Sequence, residues 1–232
     1  MSVAVIADAH LGGPGGSAAE LVEQLRGLSE SDCQHLVLLG DLFHVWIGAR
    51  RYETPEVRSV VAALKELREG GVRIDYVEGN RDFFLAGSPY SGVFDAVGDQ
   101  VHFVAGGRRY LAVHGDGLND RDHLYRFWNR LSKSAVSRFF MLHLPRALAR
   151  WLVGVTERQL AKTNFKHKRT IPADVIREYG RRRLQEGFDV LLLGHFHEGR
   201  QWSVDGGEIL LIEAWFRSRR VELFGVGGNR GN

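Results

Sequence analysis

The sequence contains a single cysteine, Cys33, so no intramolecular disulfide can staple the fold. A chain without disulfides fits a reducing compartment and must be held together by its core. Cys33 lies between a helix-like and a strand-like stretch and reads as a small packed residue rather than a nucleophile. No run of about 18 uncharged apolar residues occurs, which excludes a spanning helix. No basic region with a following apolar stretch precedes the first strand-like run, Val3-Ala4-Val5-Ile6, so a cytoplasmic protein is expected. Repeats and low-complexity segments are lacking too. Acids are scarce in one place. From Arg121 to Arg169 there are twelve Lys or Arg against two acids, Asp122 and Glu157, so this segment carries +10 and the remainder −7 of a net +3. A basic block in an otherwise acidic protein points to a polyanionic partner: nucleic acid, an anionic membrane surface or a phosphorylated substrate.

What is present is the balance of a globular protein: 232 residues, 44% hydrophobic and 25% charged. Short apolar runs end in polar, glycine-containing turns. Val3 to Ala7 precedes Asp8, Leu36 to Leu39 precedes Gly40-Asp41, and Ile74 to Val77 precedes Gly79-Asn80. Tyr110 to Val113 precedes His114-Gly115-Asp116, and Val190 to Leu193 precedes Gly194-His195. Each has the length and composition of a strand. Helical patterns lie between: Ser17 to Leu28, Pro172 to Glu186, and Pro55 to Glu69 with Thr54 as N-cap, Pro55 at N1 and Gly70-Gly71 as the stop. The alternation predicts an α/β layered fold. Ile209 to Ile212 and Val221 to Phe224 have no helix between them and read as antiparallel or mixed additions. Residues 119–170 break the alternation. Leu124, Phe127, Trp128 and Leu131 recur as on one helix face, and Pro145 to Lys162 reads as a second helix. A helical cap over 119–170 is therefore expected, inserted between core segments 1–118 and 171–224, with a disordered glycine-rich tail at 225–232.

Polar residues following strands of an α/β sheet tend to be site residues. Here they are Asp8, His10, Asp41, Asn80, His114, His195 and His197. Two carboxylates, one amide oxygen and four imidazoles suit Mn²⁺, Fe²⁺ or Zn²⁺ and are too rich in nitrogen for Ca²⁺ or Mg²⁺ alone. Asp8-Ala9-His10 and His195-Phe196-His197 each put two side chains on one side of an extended turn. Two such pairs fit two metals roughly 3.5–4 Å apart with a bridging carboxylate. Gly40 lets the backbone turn sharply and frees Asp41 to bridge.

These motifs, taken together, resemble the signature of the calcineurin-like metallophosphoesterases. The resemblance implies a two-layered β-sandwich flanked by helices. It implies that Asp8, His10, Asp41 and His197 hold one metal, that Asp41, Asn80, His114 and His195 hold the other, and that a hydroxide between them attacks phosphorus. The general family reads Gly-Asn-His where this chain reads Gly79-Asn80-Arg81. A histidine there could protonate an alkoxide leaving group; Arg81 cannot, but it can clamp phosphate oxygens. That suits a diphosphate, whose leaving group needs no proton. The bland alternative makes Arg81 a surface ion-pair partner of Asp82.

Gly40-Asp41-Leu42-Phe43, Trp46-Ile47-Gly48, Gly79-Asn80-Arg81-Asp82-Phe83, His114-Gly115-Asp116, Asp122, Tyr125 and Ala214-Trp215 resemble, more closely, the UDP-2,3-diacylglucosamine diphosphatase family of lipid A synthesis. That family yields UMP and 2,3-diacylglucosamine 1-phosphate, uses Mn²⁺, and works at the cytoplasmic face of the inner membrane. The resemblance implies catalytic roles for Asp41, Asn80, Arg81, His114 and His195. It implies substrate contacts by Asn80, Arg81, Asp122, Asn164 and His195, with Lys166 or Lys168 replacing a family lysine where this chain has His167. Trp46 is expected in the core or as a pocket wall. Phe127, Trp128, Phe139, Phe140, Leu148, Trp151 and Leu152, with Arg and Lys around them, suit acyl chains and a basic rim near anionic lipid. Ala49-Arg50-Arg51 departs from the family, which is acidic there; Phe196 and Glu198 depart as well. The alternatives are a paralogue acting on another nucleotide- or lipid-linked diphosphate, a phosphodiesterase or nuclease, and a membrane-docking metal scaffold. Nucleic acid is not the expected partner, because a closed apolar cap leaves no path for a polymer.

Overall fold

The fold is seen in a computed structural model that describes residues 2–119, 123–145, 148 and 171–225. Two five-stranded sheets face each other. The first runs β12-β1-β2-β4-β6, with β1 at Ser2–Ile6, β2 at Cys33–Leu38, β4 at Arg73–Val77, β6 at Ala96–Gly98 and β12 at Glu222–Phe224. The four earlier strands are parallel, and β12 lies antiparallel on β1. The second runs β10-β11-β9-β8-β7, with β7 at Gln100–Ala105, β8 at Arg108–Val113, β9 at Val190–Leu193, β10 at Arg200–Val204 and β11 at Gly207–Leu211. Its centre, β8-β9-β11, is parallel and both its edge strands are antiparallel. A two-stranded parallel pair joins β3, Trp46–Ile47, to β5, Asp82–Phe83.

The central strands are buried on both faces, which is why they read as unbroken apolar runs. On β1, Val3 and Val5 point between the sheets, where they meet Val37, Val77, Ala112, Val190 and Leu192. Ala4 and Ile6 point the other way, against two helices. Helix α1, Ala18–Ser29, is capped by Ser17 and buries Leu21, Leu25 and Leu28. Helix α2, Pro55–Glu69, starts where expected: the Thr54 hydroxyl accepts from the Val57 N–H, and Pro55 fills the first turn. The helix Ala173–Leu184 covers the outer face of the second sheet through Ile176 and Leu184. The fold is thus an α/β sandwich with helices outside both sheets, as the sequence predicts.

After β8 come helix α3, His123–Ser132, and helix α4, Ala135–His143. Leu124, Phe127, Trp128, Val136, Phe139 and Phe140 on them are each more than half exposed. The helix expected over Pro145 to Lys162 lies outside the described residues except for 145 and 148, and the tail lies outside them beyond residue 225. One expectation is corrected. A one-turn helix, Trp215–Ser218, does separate the last two runs, because the Trp215 N–H is drawn onto the Ala7 carbonyl at 2.8 Å. Trp46 is in the core, edge-on to Phe43 and Tyr76.

Candidate metal centre

The loops that leave β1, β2, β4, β8 and β9 at their carboxyl ends meet at one end of the sandwich. They are tied to one another by backbone. The Asp8 N–H donates to the Gly40 carbonyl (3.2 Å) and the His10 N–H to the Asp41 carbonyl (3.0 Å). The His195 N–H donates to Asp8 Oδ2 at 2.7 Å, which joins the two sheets. The Arg81 N–H donates to Asp41 Oδ1 at 2.9 Å.

Five residues singled out in the sequence hold a left-handed backbone: Asp8 (φ 50°), His10 (46°), Asp41 (53°), His195 (66°) and His197 (60°). Each such conformation costs on the order of 1–3 kcal/mol, and this kind of strain gathers at functional sites. It also corrects the account of the two Xaa-x-His pairs. Strand alternation does not bring their side chains in, since β1 ends at Ile6 and β9 at Leu193; the left-handed turns do. Gly40 and Gly79 serve close approach. A Cβ on Gly40 would lie 2.4 Å from His114 Nδ1, and one on Gly79 would lie 2.3 Å from Asp41 Oδ1.

Among the described residues, two groups bring ligand atoms within 4.8 Å of each other: Asp8, His10 and His197, and Asp8, Asp41 and His114. In the first, His10 Nε2 and His197 Nε2 are 3.0 Å apart, and Asp8 Oδ1 lies 3.7 and 3.3 Å from them. In the second, Asp41 Oδ2 is 3.6 Å from His114 Nε2. His114 Nδ1 is 2.9 Å from the Leu39 carbonyl, to which it donates, so Nε2 is the nitrogen left for a cation once its proton is displaced. Asn80 Oδ1 adjoins this group, 3.3 Å from His114 Nε2 and 3.1 Å from His195 Nδ1. All seven predicted ligands are therefore brought together. The resemblance implies Asp41 as the shared residue; Asp8 is the member common to both groups, with Asp41 beside it.

Electrostatics say the same. Burial, reinforced by the charge of Asp8, pushes the Asp41 carboxyl up to about 6 against the pull of His114 and Arg81. Burial and the Asp41 charge push Asp82 up to about 6 as well. Burial opposes a charge on His114, but Asp41, Asp8 and Asp116 outweigh it and raise its pKa to about 9. Burial also opposes ionisation of Asp8, yet His197, His114 and His10 hold it well below the usual carboxylate range. Three buried carboxylates share too little positive charge. A divalent cation among these nitrogens and oxygens would supply it, so the donor set fits a metal.

Arg81 is buried rather than at the surface. Its Nη1 donates to the His44 carbonyl and lies 3.1 Å from His44 Nδ1, while Nε stands 3.5 Å from Asp41 Oδ2. Asp82 turns away from it to accept the N–H groups of Asp41 (2.9 Å) and Gly79 (2.8 Å). The surface ion pair is thereby excluded. His44 and Lys133 escaped the sequence reading. The first is a half-buried histidine whose pKa burial and Arg81 push down; the second donates to the Gly79 carbonyl at 2.9 Å. No motif marks either. Asp116 accepts from the Tyr125 hydroxyl of α3 at 2.7 Å. Asp122, Asn164, Lys166 and Lys168 lie outside the described residues.

One cavity borders the centre, and a second is lined by residues that follow His44 and Asp82 in the chain. The first, of about 450 Å³, is polar and runs along His114, Asp116, Tyr125, Asn129 and Lys133. The other, of about 380 Å³, is apolar and is lined by Val45, Ile47, Phe83, Phe84, Trp128, Leu131, Phe140 and Met141, with Ser132 and Ser137. No helix among the described residues is long and apolar enough to cross a membrane.

The family model for calcineurin-like phosphoesterases matches residues 1–199. The UDP-2,3-diacylglucosamine hydrolase of Ralstonia nicotianae is 30% identical over 229 residues, covering 90% of this chain and 82% of that protein. The one from Azotobacter vinelandii is 32% identical over 226 residues, covering 94% and 92%. The one from Pseudomonas fluorescens strain Pf-5 is 31% identical over 221 residues, covering 89% and 82%.

Proposed function

This chain belongs to the calcineurin-like phosphoesterase family and is a metal-dependent hydrolase, and we propose that it cleaves the diphosphate of UDP-2,3-diacylglucosamine to UMP and 2,3-diacylglucosamine 1-phosphate. The observation that carries the reading is the closeness along the chain of two unlike sites. A buried cluster of metal-ligand atoms, with a guanidinium beside it, is followed through the His44–Val45 and Asp82–Phe83 links by an apolar groove of about 380 Å³. The core wall of that groove starts at Val45 and Phe83, sequence neighbours of His44 and of Asp82. A phosphorylated head with hydrocarbon tails needs both.

In this reading Asp8, His10, Asp41 and His197 hold one cation, and Asp41, Asn80, His114 and His195 the other. Mn²⁺ suits the mixed nitrogen and oxygen donors. Bound there, the cations would supply charge neutralisation at phosphorus and a nucleophile at neutral pH. The chain does the positioning. Asp41 is fixed through Oδ1 by the Arg81 N–H, which leaves Oδ2 facing His114. His114 is oriented through the Leu39 carbonyl. Arg81 supplies donors to the diphosphate oxygens and no proton; a phosphate leaving group needs none. We assign Asp122, Asn164, Lys166 and Lys168 to further substrate contacts. We also assign 119–170 to a cap that docks on the cytoplasmic face of the inner membrane. The exposed apolar side chains of α3 and α4 beside Arg130 and Arg138 support that assignment.

The test is incubation with UDP-2,3-diacylglucosamine and Mn²⁺ in mild detergent, with products weighed by mass spectrometry. UMP plus the lipid 1-phosphate is the expected outcome. Cleavage of an aryl phosphodiester without cleavage of this substrate would move the chain to another diphosphate.

A further inference from the structure

Helix α4 ends on a problem that the core solves. In a helix the Met141 carbonyl would accept from residue 145, but that residue is Pro145, which has no N–H. The Tyr52 hydroxyl donates to this carbonyl instead, at 2.5 Å. Arg51 forks over the next positions: Nη1 donates to the Leu142 carbonyl and Nη2 to the Leu144 carbonyl, the latter at 2.5 Å. A cation at a helix carboxyl end also meets the negative pole of the helix dipole. Both side chains belong to the 3-10 turn Arg50–Tyr52, just beyond β3. The other end of α4 is tied as well, since Lys133, beside the Ser134 cap, donates to the Gly79 carbonyl.

Between these two ties lies the apolar groove. The core contributes Val45, Ile47, Phe83 and Phe84; the helices contribute Trp128, Leu131, Phe140 and Met141. The Tyr52 hydroxyl holds the carbonyl of Met141, itself a wall residue. Among the described residues, few other side chains fix the separation of the walls: α4 buries none of its own residues, and Arg138 adds a 3.5 Å bond to the Gly87 carbonyl. We propose that Arg51 and Tyr52 are positioning residues that latch the end of α4 to the core, set the width of the groove, and so determine acyl-chain length. This rests on the substrate reading above, for which the groove is the acyl site.

The test uses the full chain loaded with Mn²⁺, as wild type, as the double variant Arg51→Gln, Tyr52→Phe, and as Arg51→Lys. KM and kcat are measured on UDP-2,3-diacylglucosamines of increasing acyl length. Binding of dodecanoate is read in parallel through tryptophan fluorescence. In the double variant, loss of three hydrogen bonds should raise KM roughly tenfold, leave kcat within about twofold, and flatten the length preference. Arg51→Lys, which keeps the charge but not the fork, should fall between. Dodecanoate should bind the double variant more weakly. An unchanged KM and length profile would overturn the proposal, whatever happens to dodecanoate. If the wild type cleaves no UDP-2,3-diacylglucosamine, the substrate reading falls separately. Dodecanoate then decides the latch: weaker binding in the variant supports it, and equal binding overturns it.

Discussion

Among the described residues, charged side chains are buried in two places, which differ in whether charge is balanced. Near the amino ends of β2 and β4, His35 Nε2 and Asp75 Oδ2 are 3.0 Å apart, and Arg73 reaches the same carboxylate at 3.0 Å. Burial opposes ionisation of Asp75, but His35 and Arg73 outweigh it and lower its pKa. At the carboxyl ends, Asp41 and Asp82 are pushed up to about 6 instead. Backbone conformation divides the two places in the same way. Asp8, His10, Asp41, His195 and His197 are strained, and neither His35 nor Asp75 has a positive φ. Burial of charge alone therefore does not mark a site. Unbalanced charge on a strained backbone does, because folding would not retain it without a ligand.

The comparison can be broken by substitution. Asp41→Ala should lower kcat/KM by at least about a thousandfold while circular dichroism and Tm show a folded protein. His10→Ala should behave likewise, and activity within tenfold of wild type in either would sink the two-metal reading. At the other end, Asp75→Ala should do the reverse: kcat within about twofold, but stability lower by ~3 kcal/mol in urea, since a buried pair loses one partner. A sizeable loss of kcat there would erase the distinction between the two places. The pH dependence sharpens it. The Asp75 pKa is depressed in the folded state, so its contribution is present above the unfolded value of about 4 and fades as pH falls below that. The stability gap between wild type and Asp75→Asn should narrow in acid.

A smaller effect, roughly fiftyfold in kcat/KM, is expected for Arg81→Ala, against less than about twofold for the exposed Arg109→Ala. Equal effects would remove Arg81 from the site. A further effect, graded with pH, concerns protons. His114 is raised to about 9, so at neutral pH the metal-free protein carries a proton that a cation must displace. Mn²⁺ affinity should fall by about tenfold per unit as pH drops below 9. Calorimetry in buffers of different ionisation enthalpy reads the released proton directly, and an affinity independent of pH would contradict the assignment.

Much of this was legible in the sequence, for physical reasons. Strands buried on both faces leave apolar runs, so β1, β2, β4, β8 and β9 were found with the residues that follow them. Caps such as Thr54 and Ser17 fix helix starts locally. The edge strand β7 was missed, although its buried residues Val101, Phe103 and Ala105 alternate with exposed ones, because its composition is too polar for a run. The pair β3-β5 is two residues long on each side and leaves no pattern. The left-handed turns at Asp8 and His197 could not be read either, since Asp and His adopt that conformation only occasionally; contacts between the two sheets fix it here. His44, Arg51 and Lys133 act through long-range hydrogen bonds, which have no signature along the chain.

The central claim is that the unbalanced end of the sandwich is a two-metal centre. Elemental analysis after equilibration with Mn²⁺ and exhaustive gel filtration tests it most directly, on wild type, Asp41→Ala and Asp75→Ala. Two metal ions per chain are expected in the wild type and in Asp75→Ala, and fewer in Asp41→Ala. One ion or none in a folded, active wild type, or full occupancy in Asp41→Ala, would contradict it.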